Sequence, residues 1–186
     1  GVNWCIKKGY ANSEDLETNF SYNSLGQVIT ANSPDYGLVS YAYDNNSNLI
    51  NKIDAKGNII YYYYDKLNRI KLIRYPAGKN IEYYYDGPTA IGKLSRVVDQ
   101  LGSIEYYYDQ RGRLAAEYRK ILGTTIYTTS YSYDKSNSLT QIRYPDPDGS
   151  GPKTGKVIDY IYNNMGQLEK VRVDGKEVKY DYDPSG

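Results

Sequence analysis

The stretch Tyr62-Tyr63-Tyr64-Asp65 returns as Tyr83-Tyr84-Tyr85-Asp86 and again as Tyr106-Tyr107-Tyr108-Asp109. Looser copies are Phe20-Ser21-Tyr22-Asn23, Tyr41-Ala42-Tyr43-Asp44, Tyr131-Ser132-Tyr133-Asp134, Tyr160-Ile161-Tyr162-Asn163 and Tyr180-Asp181-Tyr182-Asp183. The eight copies start 21, 21, 21, 23, 25, 29 and 20 residues apart. Self-similarity at such a period is the mark of a repeat architecture.

Each unit repeats one internal grammar. After the word comes a turn closing on Gly or Asn: Asp65-Lys66-Leu67-Asn68, Asp109-Gln110-Arg111-Gly112, Asn163-Asn164-Met165-Gly166. Asp and Asn bond their own backbone in turns, and Gly takes positive φ without steric cost. A short alternating run such as Arg69–Tyr75 follows, then a second turn such as Asp54–Gly57, Pro76–Gly78, Asp99–Gly102 or Asp174-Gly175. Two runs of five to eight residues rich in Tyr, Ile and Val, bounded by turn residues, predict an antiparallel β-hairpin. Turn signals every ~10 residues leave no room for three helical turns. Only Ser13–Thr18 suggests a short helix.

The side-chain period of a strand assigns the rings to faces. The flanking tyrosines of each word are two apart and share one face, while the middle rings Tyr63, Tyr84 and Tyr107 point to the other. Tyr buries a large area yet keeps a hydroxyl that needs a partner, so it suits a half-wet wall. One hairpin is marginal in water, so neighbouring hairpins must complete its core. About seven hairpins give about 14 strands and a sheet on the order of 65 Å wide. Strongly twisted open sheets rarely exceed ~10 strands without curling, so a spiral or curved wall is expected. The longer units place their extra residues at hairpin tips: Gly87–Gly92, around Gly123, and Pro145–Gly155. The organisation expected is an irregular or degenerate repeat entry over 1–19, then about seven units over 20–186, the last incomplete at Asp181–Gly186.

Composition narrows the chemistry. The 186 residues include 25 tyrosines but one Phe, one Trp, one Cys and no histidine. Zinc sites of the Cys/His kinds, His-based triads and haem ligation by His are therefore excluded. Cys5 has no second cysteine to pair with and no histidine to activate it. A formal charge of +1 gives no electrostatic pull toward nucleic acid or anionic membrane, and no apolar run approaches a membrane span.

The word aspartates Asp44, Asp65, Asp86, Asp109, Asp134 and Asp183 could be taken for a carboxylate array. Their regular place before a turn is better explained as turn capping, because a residue repeated in every unit argues scaffold. Asp146–Gly151 resembles part of a calcium loop but lacks a third acidic ligand and the closing Glu. Lys66, Arg69, Lys71, Arg74, Arg96, Arg111, Arg113 and Arg143 are spread through the units and balanced by acids, as on a solvated strand face. Nucleic-acid binding wants those cations gathered in a groove. Sugar binding needs only aromatic planes with polar rims and stays open as the weaker reading.

The pattern YxYDxxGxL, read in Tyr106–Leu114 with Gly112 and in Tyr160–Leu168 with Gly166, resembles the YD repeat of the Rhs family. That family includes bacterial Rhs and wall-associated polymorphic toxins, the C components of Tc toxin complexes, and teneurins. The resemblance covers nearly everything from Phe20 onward. It implies an all-β fold of repeated antiparallel β-hairpins forming a spiralling YD-repeat sheet, a β-solenoid-like shell or an arc of one. It also implies a structural segment of a secreted or cell-surface protein, a Tyr-rich wall around an enclosed cargo or toxin domain. The signature residues are Tyr41, Tyr43, Asp44, Tyr62, Tyr64, Asp65, Tyr83, Tyr85, Asp86, Tyr106, Tyr108 and Asp109. Tyr131, Tyr133, Asp134, Tyr160, Tyr162, Tyr180, Tyr182 and Asp183 complete them. The partners expected are further YD repeats of the same or another chain, and edge pairing into rings or filaments is one expectation. An extracellular carbohydrate- or receptor-binding module is the alternative. Neither reading calls for a cofactor, a metal, a catalytic residue, nucleic acid or membrane insertion.

Overall fold

The computed structural model of the chain describes residues 4–8, 16–123, 125–146 and 155–183. Its strands are β1 (Trp4–Lys8), β2 (Leu16–Tyr22), β3 (Val28–Ser33), β4 (Gly37–Tyr43), β5 (Leu49–Ile53), β6 (Ile59–Tyr64), β7 (Ile70–Arg74) and β8 (Asn80–Tyr85). Then follow β9 (Leu94–Asp99), β10 (Gly102–Tyr108), β11 (Leu114–Ile121), β12 (Ile126–Tyr133), β13 (Leu139–Arg143), β14 (Val157–Tyr162), β15 (Leu168–Val173) and β16 (Lys176–Lys179). Strand order in the sheet is chain order from β1 to β16, an open meander of the all-β, antiparallel kind that the words predict. A single 3-10 turn, Pro76–Gly78, is the one helical element among the described residues.

The helix suggested for Ser13–Thr18 is not formed over its described part. Leu16, Glu17 and Thr18 belong to β2 and pair with Lys8, Lys7 and Ile6 of β1, while residues 13–15 lie outside the described residues. Strand pairing on both sides of β2 outweighs the weak local preference of a six-residue stretch.

The chain forms two compact units, residues 1–82 and 83–186. In the first, cross-strand partners trace one face through Phe20, Ala31 and Val39, through Tyr41, Lys52 and Ile60, and through Tyr62, Ile73 and Ile81. We call this the front. The back carries Ala42, Asn51, Tyr61 and Arg74, and Tyr63, Leu72 and Glu82. In the second unit the front runs through Val97, Ile104, Arg119 and Tyr127, through Tyr106, Glu117 and Thr129, and through Tyr131, Ile142, Ile158 and Val173. Its back carries Arg96, Glu105 and Tyr118, then Gln141, Asp159, Arg172 and Glu177. The fronts are thus dominated by Tyr, Ile and Val, and the backs by mixed charge with the middle rings.

Neither face is covered by a second layer of described residues. Ala31, Val39 and Ala90 are the buried apolar residues described, at 5% exposure or less. The word tyrosines Tyr41, Tyr62, Tyr106 and Tyr131 stay half-buried against their front-face neighbours. Most domains bury an apolar face against another element; here each apolar face leans only on its own neighbours.

Six of the eight words also carry a register shift. Tyr22 pairs with Val28 but Ser21 with Thr30, so Ile29 has no partner. Equivalent shifts leave out Ile50, Lys71, Ala115, Thr140 and Glu169. A β-bulge at this fixed place in those six units bends the strand and increases its twist.

Candidate functional site

The turn after each word is built by its last residue. In Asn23, Asp44, Asp65, Asp109, Asp134 and Asn163, Oδ1 accepts backbone N–H bonds from residues two and four further on, at 2.8–3.0 Å. The third residue after each is at positive φ: Gly26, Ser47, Asn68, Gly112, Asn137 and Gly166, between 58° and 78°. That conformation suits Gly and Asn, and Ser47 adopts it at a steric cost. In the longer loop after Tyr85, Asp86 reaches instead to Gly92 N–H at 2.7 Å.

The residue four beyond the cap completes the pairing with matching chemistry. Asp44 accepts from Asn48 Nδ2 at 3.0 Å, while Asp65 and Asp109 accept from Arg69 Nε and Arg113 Nε, both at 2.7 Å. Where the cap is Asn, it donates to a Gln oxygen: Asn23 to Gln27 at 2.6 Å, Asn163 to Gln167 at 2.9 Å. These bonds hold the carboxyls of Asp44, Asp65 and Asp109 below the ordinary aspartate value. For Asp44 the Asn48 side chain contributes most; for Asp65 and Asp109 the backbone N–H groups of Arg69 and Arg113 do. Arg69 and Arg113, placed by the sequence on a solvated strand face, are therefore turn components with side chains about one-fifth exposed.

Adjacent turns are linked. Asn48 Nδ2 donates to Asn68 Oδ1 at 2.9 Å. In the second unit Arg113 Nη1 reaches the Asp134 carbonyl and Asn137 Oδ1, each at 3.0 Å, and its guanidinium lies 4.6 Å from the Tyr133 ring centre.

The second tyrosine of the word makes a bond that no spacing in the sequence announces. Tyr43 donates its hydroxyl to the Val28 carbonyl, Tyr64 to Leu49, Tyr108 to Leu94, Tyr133 to Leu114, Tyr162 to Leu139 and Tyr182 to Leu168, all at 2.8–3.0 Å. The bulge explains the acceptor. Pairing of β5 with β6 stops at Asn51–Tyr61, and that of β13 with β14 at Gln141–Asp159. Beyond the bulge the strands diverge, and the phenol spans the gap to a carbonyl the ladder no longer serves. Burial raises the Tyr64, Tyr108 and Tyr162 hydroxyls above their ordinary value, as it does first for Tyr41, Tyr62, Tyr106 and Tyr131.

The remaining signature residues lie where the repeat puts them. Tyr83 and Tyr85 are in β8 and Tyr160 is in β14, while Tyr180 and Asp183 follow β16. Cys5 lies in β1 opposite Asn19. Asp146 is buried at 1% exposure, and residues 148–151 of the calcium-like stretch lie outside the described residues. Among the described residues no three Cys, Asp or Glu side chains gather as a metal site, and no helix is long and apolar enough to cross a membrane.

The back of the second unit holds a shallow groove of about 190 Å³ beside Tyr107, lined by Pro88, Thr89, Ser95, Arg96 and Glu105. Tyr107 donates to Glu105 at 3.2 Å, and Arg96 lies 3.7 Å from the same carboxylate and 5.8 Å from the Tyr84 ring centre. The Tyr118 ring meets Tyr107 edge-on at 4.9 Å.

No protein-family model matches the chain, and no curated protein does. Among solved structures it is similar to a chain of the Photorhabdus luminescens Tc holotoxin pore, at 15% identity and a TM-score of 0.69, over 100% of this chain and 12% of that one. It is similar also to a chain in the crystal structure of TcdB2-TccC3-TEV, at 15% identity and a TM-score of 0.68, over 97% of this chain and 12% of that one. The chain thus spans about an eighth of the length of the proteins it resembles. At this identity the likeness is one of fold, and the fold is the repeating antiparallel sheet found in Tc toxin assemblies.

Proposed function

We propose that this chain is a structural, non-catalytic segment of a YD-repeat wall in a secreted or cell-surface assembly, its front turned toward enclosed material. The observation that carries this reading is the uncovered apolar front. Ring after ring of Tyr, backed by Ile and Val, is left half-buried by a single layer of strands. Such a face is costly in open water and useful as a lining. The turn and hydroxyl bonds supply rigidity, and the signature residues Tyr41 to Asp183 act as scaffold. The fold shared with Tc toxin chains supports the same reading, and further repeats are the partners it needs. The test is tyrosine nitration of the protein in its native assembly, read by mass spectrometry. Tyr41, Tyr62, Tyr106 and Tyr131 should be protected and Tyr61, Tyr84 and Tyr107 modified; equal modification of both sets overturns the reading.

One observation favours a second reading, a glycan-binding role. The groove beside Tyr107 combines an aromatic wall with a carboxylate, a guanidinium and two hydroxyls, the mixture that grips a sugar ring. Quenching of tyrosine fluorescence by a polysaccharide panel, abolished by Tyr107→Ala, is the expected result. No quenching by any member removes this reading and leaves the wall untouched.

A further inference from the structure

Several turns after the words present one exposed apolar residue, as at Leu25, Leu67 and Met165, whereas the second turns at Asp54–Gly57, Pro76–Gly78 and Asp174-Gly175 are small or polar. Two neighbouring second turns in the second unit depart from that by clustering aliphatic residues. The turn from β9 to β10 presents Leu101, and the one from β11 to β12 presents Ile121, Leu122 and Ile126. The Leu122 N–H donates to the Leu101 carbonyl at 2.8 Å, fastening the two tips together. All four side chains face water: Leu101 is 61% exposed, Ile121 46%, Leu122 74% and Ile126 49%.

Two details show these residues held outward by the backbone. Leu122 sits at φ 24°, a region that disfavours a bulky residue, and Gly123 follows at φ 148°. Gly102, at φ 149° beside Leu101, lets the Lys120 backbone pack close, since a Cβ there would lie 1.8 Å from the Lys120 carbonyl oxygen. Beside it opens a cleft of about 210 Å³ lined by Val97, Ile104, Leu101 and Ile121. Arg119 and Lys120 flank it, and neither forms an ion pair among the described residues. Asp99 also lines the cleft, one carboxylate against two cations, and is engaged by the N–H groups of Leu101 and Gly102, at 2.8 and 3.0 Å.

We propose that this tip is a docking site for a partner polypeptide that inserts an aliphatic side chain flanked by carboxylates. The aliphatic cleft takes the apolar anchor, and the two free cations select the sign of its surroundings. A second copy docked tip to tip fits poorly, because it would set Arg119 and Lys120 of one copy against those of the other. Val97, Ile104 and Arg119 belong to the front, so the site opens on the same side as the lining tyrosines.

The experiment uses the 186-residue chain and two fluorescein-labelled peptides of equal length, one alternating Leu with Asp and one alternating Leu with Lys. Fluorescence anisotropy is expected to show the acidic peptide binding at least about tenfold tighter, with a preference that shrinks as salt rises. The double variant Leu101→Ser, Leu122→Ser should lose that binding, and Arg119→Glu with Lys120→Glu should invert the preference. Circular dichroism checks each fold, and Arg119→Gln serves as the milder variant, halving the free charge. The proposal is overturned by equal binding of both peptides, by binding indifferent to the tip variants, or by no binding. It is equally overturned by a tip-dependent dimer in sedimentation, or by tip-dependent capture on phosphatidylserine vesicles with the acidic peptide unbound.

Discussion

At the scale of single residues, the pH dependence of stability comes from groups that titrate far from neutrality. Asp44, Asp54, Asp65 and Asp109 have carboxyls lowered from 3.8 by turn hydrogen bonds. A carboxyl lowered in the folded state stabilises above its unfolded pKa, and that contribution is lost as pH falls through the folded value. Tyr41, Tyr62, Tyr64, Tyr106 and Tyr108 are raised from 10.0 by burial, so their contribution is present below that value and lost as pH climbs through the higher folded one. With no histidine in the chain, the urea midpoint should be level from about pH 5 to pH 8, falling below about pH 4 and above about pH 10. A steep change near pH 6.5 would contradict this account. Tyr64→Phe and Tyr108→Phe test the hydroxyl bonds separately. Each leaves a carbonyl, of Leu49 or Leu94, without its donor, and should cost about 1 kcal/mol in urea unfolding.

At the scale of the hairpin, two local devices decide the shape of the unit, and they differ in how openly the sequence shows them. The turn is written in residue types. Asp or Asn as cap, Gly or Asn at the third place, and a matched donor or acceptor at the fourth can all be read without coordinates. Ser47 departs from that rule at φ 68°, so Ser47→Gly should raise stability by up to about 1 kcal/mol in denaturant titration. The bulge is not written in residue types. The residues left out of register are Ile29, Ile50, Lys71, Ala115, Thr140 and Glu169, which share neither size nor polarity. Nothing local separates them from their neighbours, so the hydroxyl acceptors that depend on the bulge were equally hidden. The coupling can be measured. Deleting Ile50 lets β5 and β6 pair further and removes the gap that Tyr64 spans, so Tyr64→Phe should become nearly neutral in that background. If it still costs its full amount, the bulge is not what exposes the Leu49 carbonyl. The aliphatics at Leu101 and Leu122 are legible as residues, but their exposure depends on a tip geometry that the repeat does not encode.

At the scale of the molecule, sheet order equal to chain order means that each strand depends on its immediate neighbours alone. Stability is then close to a sum of local terms, and strands can open independently. In β16, all four residues from Lys176 to Lys179 are exposed, and β15 is its paired neighbour. Two lysines on so short a strand are the usual guard against stray edge pairing. Amide exchange on the isolated 186-residue chain should accordingly be fastest in β16 and slow in β10 and β11, whose pairing is the longest described. The same peptides measured in the native assembly distinguish a wall from a free-standing module. If the wall reading holds, β16 gains protection through a further strand, and the front-face tyrosines lose access to nitration in the same sample. A β16 that exchanges equally fast in both preparations, with Tyr106 and Tyr131 still reactive, would mean that the sheet ends in water and lines nothing. The apolar front would then need an occupant other than enclosed cargo, and the tip at Leu101 and Leu122 would be the first place to look for it.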